Sequence, residues 1–203
     1  MTITLHKGDL PDDLILGPDV AVDSETLGLD PRRDRLCLVQ LSSGDGNAHL
    51  VQFARGQYDV PNLKALMANP NVTKLFHFAR FDIAVIRRYL GVMPEPIYCT
   101  KIASKLVRTY TDRHGLKDLC RELLDIDISK QQQSSDWGAE TLSPAQLDYA
   151  AGDVFYLHRL RERLDAMLAR EGRTELAAAC FRFLPHRALL DLKGWAETDI
   201  FAH

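Results

Sequence analysis

Apolar positions in the first half of the chain fall in short runs bounded by turn residues, and in the second half they fall in stripes of helical period. Residues 2–5 alternate weakly and predict a strand. Residues 20–25, 36–42 and 48–52 read as three further strands, and the turn cluster 43–47 (Ser-Gly-Asp-Gly-Asn) joins the last two as a hairpin. Residues 61–68 predict a helix with Pro61 at its first position, and residues 72–76 a short apolar strand. In 81–90, Ile83, Val85, Ile86 and Leu90 form one apolar stripe, closed by Gly91. Residues 100–109 and 116–124 also read as helices. Ser143 is placed to cap the longest helix, with Pro144 at its first position, running to about residue 170. Strands first and helices later predict an α/β domain, a mixed β-sheet flanked by helices over residues 1–170, with a helical extension over 171–203.

Composition narrows the class. The 203 residues are 46% hydrophobic and 26% charged, ordinary values for a globular domain. No apolar run approaches the ~20 residues that span a bilayer, and the first residues lack a signal-peptide pattern. The four cysteines are dispersed without a Cys-x-x-Cys pair, which argues against zinc or a disulfide framework and for a reducing cytoplasm. A net charge of −3 is too acidic for a protein that coats long nucleic acid, but it leaves room for chemistry on a short substrate with few phosphates.

The chemistry concentrates in acids. Asp23 and Glu25 end the 20–25 run at a spacing of two, so they point to one face of the strand. Like charges placed so close repel unless a cation lies between them, and the pair therefore predicts a divalent metal site. Asp82, in His77-Phe-Ala-Arg-Phe-Asp82, stands at the head of a helix, where the helix dipole alone would favour an acid. Tyr149 and Asp153 share a helix face at a spacing of four. Gly152 beside them is costly inside a helix by ~1 kcal/mol and predicts a close approach of another backbone.

The set Asp23, Glu25, Asp82, Tyr149 and Asp153, in this order, resembles the Tyr-containing branch of the DEDD 3′→5′ exonuclease superfamily, which has an RNase H-like fold. The segments 34–41, 100–104, 115–120 and 130–137 look like RNase D. The chain departs from RNase D in lacking its following helical domains and in carrying Cys99 where that family usually has Asp. Its length, the segments 108–114 and 129–137 and its ending are more similar to nano-RNase C, a compact RNase D-like group. The resemblance implies two Mg²⁺ or Mn²⁺ ions, with Asp23, Glu25 and Asp153 holding one and Asp23 bridging to another near Asp82. It casts Tyr149 as an orienter of the attacking water and places Glu25 and the adjoining backbone around Thr26 at the terminal 3′-hydroxyl. It implies cleavage of diribonucleotides and a homo-octameric ring.

The remaining assignments concern the substrate. Leu29 sits at the family position for an apolar wedge between the last two bases, against a reading as core leucine. His77 is placed for a sugar or phosphate, or for capping a turn. Phe78 and Phe81 read as core rather than as base-stacking platforms. Lys101, Lys105 and Arg108 fall on one predicted helix face, either solvated or bound to the phosphate on the 5′ side of a short RNA. The candidates for that contact are Arg108, Arg113, His114, Lys130 and Ser134 or Ser135. Leu184, Leu189, Leu190, Leu192, Trp195, Ile200 and Phe201 crowd the C-terminus, more apolar surface than a free tail exposes; they pack either on the chain's own domain or on a neighbouring subunit, and the resemblance to nano-RNase C implies the second. Three functions stand at this point: a dinucleotide exoribonuclease, a broader exonuclease on RNA ends or DNA, and a non-catalytic oligomeric nucleic-acid-binding module.

Overall fold

A computed structural model describes residues 1–129 and 131–203. One six-stranded mixed sheet forms the centre. Its strands are β1 Thr2–Lys7, β2 Asp19–Thr26, β3 Leu36–Ser42, β4 Asn47–Gln52, β5 Thr73–Phe76 and β6 Ile97–Cys99, in the order β1-β4-β3-β2-β5-β6. The β2-β3-β4 core is antiparallel, and the outer pairs β1-β4, β2-β5 and β5-β6 are parallel. Every residue of β3 is buried, so both faces of the sheet centre are covered. The expected RNase H-like mixed sheet flanked by helices is therefore present. β6 is the one strand that the sequence pattern does not predict: three residues behind two prolines are too short to show a period.

Among the described residues, seven helices surround the sheet: α1 Pro61–Ala68, α2 Ala79–Leu90, α3 Thr100–Val107, α4 Leu116–Leu124, α5 Pro144–Phe155, α6 Leu157–Arg170 and α7 Thr174–Leu192. α5 starts on a complete capping box. The Ser143 hydroxyl accepts from Gln146 N at 3.2 Å, and the Gln146 side chain accepts from Ser143 N at 2.9 Å. The expected single helix from 144 to 170 is two, because Tyr156 leaves helical geometry at φ −108°, ψ −3°. The break has a packing reason. α5 lies on β2, β3 and β4, whereas α6 packs on α3 and α4, and one straight rod cannot follow both surfaces. α7 packs mainly along α2 and also meets β6, α3 and α6. Among the described residues no helix is long and apolar enough to cross a membrane.

Gly152 corrects another expectation. A Cβ built there meets no atom within 4 Å, so no backbone approaches it and the helical penalty of glycine stands uncompensated. Gly152→Ala is expected to stabilise the protein by about 0.5–1 kcal/mol, read as a rise in Tm in thermal unfolding. An unchanged or lower Tm would show that the site demands the missing side chain for another reason.

Candidate active site

Alternation along β2 turns Asp23 and Glu25 to one face of the sheet and Ser24 to the other. Gln40 on β3 pairs across from Asp23 and shares its face. Its Nε2 donates to Asp23 Oδ2 at 3.3 Å and, more weakly, to Glu25 Oε1 at 3.5 Å. α5 brings Asp153 over the same face, so that one ligand oxygen from each of Asp23, Glu25 and Asp153 lies within 4.8 Å of the others. Tyr149 stands one turn before Asp153 on the same helix, near enough for that carboxylate to raise the pKa of its phenol. The Tyr149 ring rests against buried Trp137, with centroids 5.9 Å apart. On the other face the Ser24 hydroxyl donates to Asp82 Oδ1 at 2.6 Å. Three of the four predicted acids thus converge, and the fourth is held beside them through Ser24.

The electrostatics follow from burial first and crowding second. Burial first, and then the charges of Asp82, Asp153 and Glu25, push the Asp23 carboxyl well above its usual range. Burial, with Asp153 and Asp82, pushes Glu25 up to about 9. Burial raises Asp82 to about 7 against the opposing bond from Ser24. The Tyr149 phenol is pushed up by burial and by Asp153, Glu25 and Asp23. Hard oxygen donors, crowded so that each resists losing its proton, fit a divalent cation, which would replace the protons and cancel the repulsion.

The acids floor a cleft of about 660 Å³, of ligand-binding size. Thr26, Leu29, His77, Phe78, Phe81, Ser134 and Ser135 line it, together with Lys101 and Lys117. Leu29 is 89% exposed, which removes its reading as a core leucine. Phe78 is 47% exposed and carries the Lys101 ammonium 4.2 Å over its ring centre, so it too is not core; Phe81 packs partly buried against the core. His77 Nδ1 lies 2.9 Å from Thr100 Oγ1. The Thr100 hydroxyl spends its one proton on Phe76 O at 3.1 Å, so His77 must donate from Nδ1.

The expected basic face does not form as a unit. α3 ends at Val107, and Arg108 turns inward with no exposure. Its guanidinium donates to Ser104 Oγ at 3.1 Å, to Arg113 O at 2.7 Å and to Glu122 Oε2. His114 is also buried, against Ser104 Oγ at 2.8 Å. Neither lines the cleft, nor does exposed Arg113; Lys130 lies outside the described residues. Among the described residues, the cleft takes its positive charge from Lys101 and Lys117 instead. Sequence reasoning also missed Gln40 and Ser24. A glutamine in the middle of an apolar strand was the available signal for Gln40; Ser24 offered none, because its role depends on where α2 lands.

The family model for 3′-5′ exonucleases matches residues 9–169. NrnC from Brucella melitensis with bound Mg²⁺ is 60% identical, covers both chains fully and superposes with a TM-score of 0.96. The chain belongs to the RNase D-like 3′-5′ exonucleases, with NrnC. Brucella melitensis NrnC bound to pGG is 61% identical, covering 100% of this chain and 99% of its own, with a TM-score of 0.97. Ribonuclease D of Acidiphilium cryptum is 39% identical over 169 residues, 83% of this chain. The chain spans only 43% of that relative's length.

The raised carboxyls give a signed pH dependence. With metal chelated, the folded chain keeps protons on Asp82 up to about 7 and on Glu25 up to about 9, whereas the unfolded chain releases them near pH 4. Between those limits the unfolded state binds fewer protons, so stability falls as pH rises. Tm in chelator is expected to drop from about pH 6 to pH 9, and saturating Mg²⁺ to remove most of that drop. A flat profile in chelator would contradict the assignment.

Proposed function

We propose that this exonuclease is a metal-dependent 3′→5′ exoribonuclease that hydrolyses diribonucleotides and very short RNA to nucleoside 5′-monophosphates, the final step of RNA degradation. The observation that carries the reading is the convergence of Asp23, Glu25 and Asp153 within 4.8 Å beneath a cleft whose wall bears the exposed Leu29. The pGG held by the full-length Brucella relative supports a short substrate. Asp23, Glu25 and Asp153 would hold one Mg²⁺ or Mn²⁺, with Asp23 shared toward a second near Asp82. Bound cations supply an activated water and neutralise charge on the leaving oxygen.

The chain's own groups do the rest. Tyr149, its pKa raised, keeps its proton at neutral pH, so it orients the attacking water as a donor rather than removing a proton from it. Gln40 faces its N–H edge to the carboxylates, the edge that negative oxygens demand, and holds Asp23 and Glu25 apart at fixed spacing. Glu25 and the Thr26 backbone meet the terminal 3′-hydroxyl. Leu29 wedges between the two bases, and His77 touches the sugar or phosphate. Lys101, Lys117 and Ser134 are the cleft groups suited to the phosphate on the 5′ side.

The test is turnover of 5′-phosphorylated RNAs from two to about seven nucleotides, with Mg²⁺ and with chelator. Rates should be highest for the dinucleotide and vanish in chelator, and Tyr149→Phe should lower kcat at least about 10²-fold. Equal rates at every length would instead favour the broader exonuclease.

The assembly is part of the same reading: a homo-octameric ring, acting in the cytoplasm, with residues 171–203 contributing to subunit contacts. Trp195, Ile200 and Phe201 are 46%, 45% and 65% exposed, more apolar surface than a free tail leaves in water. Removing residues 195–203 should lower the native mass measured by light scattering; an unchanged mass would assign those side chains elsewhere.

A further inference from the structure

The helix that carries Asp82 lacks a side-chain anchor at its start. Phe78 precedes it in left-handed conformation, φ 66° and ψ 42°, and supplies no side-chain cap. The first turn keeps a main-chain bond from Phe81 N to Phe78 O at 3.2 Å, but not the side-chain cap that fixes many helix starts. A hold comes from far along the chain. Arg80, in that first turn, forks onto Asp191 near the end of α7, with Nε to Oδ2 at 2.6 Å and Nη2 to Oδ1 at 2.7 Å. Arg80 Nη2 also donates to Ala196 O at 2.8 Å. Arg187 Nη2 donates to the same Asp191 oxygen at 2.7 Å, to Trp195 O at 2.8 Å and to Ala196 O at 3.0 Å. Asp191 is buried, and two guanidiniums answer its one charge.

A bidentate fork onto a buried carboxylate fixes geometry, even though the Arg80 side chain is itself 37% exposed. Arg80 lies two residues before Asp82 on the same turn, and the bond from the Ser24 hydroxyl to Asp82 ties that turn to β2. We propose that Asp191 is a positioning residue for the metal site: the Arg80–Asp191 fork, backed by Arg187 and the chain at Trp195–Ala196, sets where the first turn of α2 stands and so where Asp82 presents its carboxyl. The C-terminal segment thereby reaches the active site mechanically, about as far from it in sequence as the chain allows. This inference rests on the reading of Asp82 as a metal ligand.

The experiment uses the full chain and Mn²⁺ binding, followed by titration calorimetry, with folding of each variant checked by circular dichroism. Asp191→Asn removes the charge; Arg80→Lys keeps a charge and loses the fork, and serves if Asp191→Asn does not fold. Each is expected to weaken the Mn²⁺ site that depends on Asp82 by roughly 10-fold. In an Asp82→Asn background, neither is expected to weaken binding further. Unchanged Mn²⁺ affinity in a folded variant would overturn the positioning role, whatever its Tm, and so would an equal loss in the Asp82→Asn background. A parent protein that binds no Mn²⁺ would overturn the metal reading itself and this inference with it, and that outcome is visible before any variant is made.

Discussion

The carboxyl groups of Asp23, Glu25 and Asp153 stand within 4.8 Å of one another at one end of a buried strand. That repulsion is the constraint around which the rest of the molecule is arranged. Left alone, Asp23 and Glu25 hold their protons, their pKa values raised first by burial and then by the neighbouring charges. A divalent cation answers it better, because it restores the charged form and satisfies several oxygens at once. The surrounding polar groups keep the acids in place while neither answer is complete. Gln40 donates to two of the carboxylates from the neighbouring strand, and Ser24 holds Asp82 on the opposite side.

The two helices that deliver acids to β2 are anchored in contrasting ways. α5 carries its own start: Ser143, Pro144 and Gln146 form a closed local cap, so Tyr149 and Asp153 ride on a helix whose beginning is fixed within four residues. α2 has no such cap, and its first turn is tied to α7 through Arg80 and Asp191. The cleft is thus built from one helix held by a local cap and another tied to the C-terminal helix. A site built on so few carboxylates depends closely on the placement of each one.

Much of the fold was readable from period and punctuation. The strand runs ending in Glu25 and Ser42, the hairpin turn between them and β4, and the Ser143 cap are local signals, and each element formed where its signal stood. The reading failed where a local pattern met a packing demand. Residues 144–170 have helical character throughout, yet Tyr156 interrupts them because the two halves cover different neighbours. Arg108 keeps helical spacing from Lys101 and Lys105, but α3 ends one residue earlier and the guanidinium folds inward to Glu122 and Ser104. A side chain's spacing tells which face it would share only while the helix continues.

The sequence by itself determined the identities and order of the acids, the spacing that puts Asp23 and Glu25 on one face, and the turn that stacks Tyr149 over Asp153, because periods of two and of nearly four are properties of the backbone. Only the tertiary structure decided that three carboxylates meet while the fourth stands aside on Ser24, that Leu29 and Phe78 face the cleft, and that Arg108 and His114 do not. Those outcomes depend on where separate elements come to rest against one another. That is fixed by contacts between residues as distant as Arg80 and Asp191, and no local stretch of chain records it.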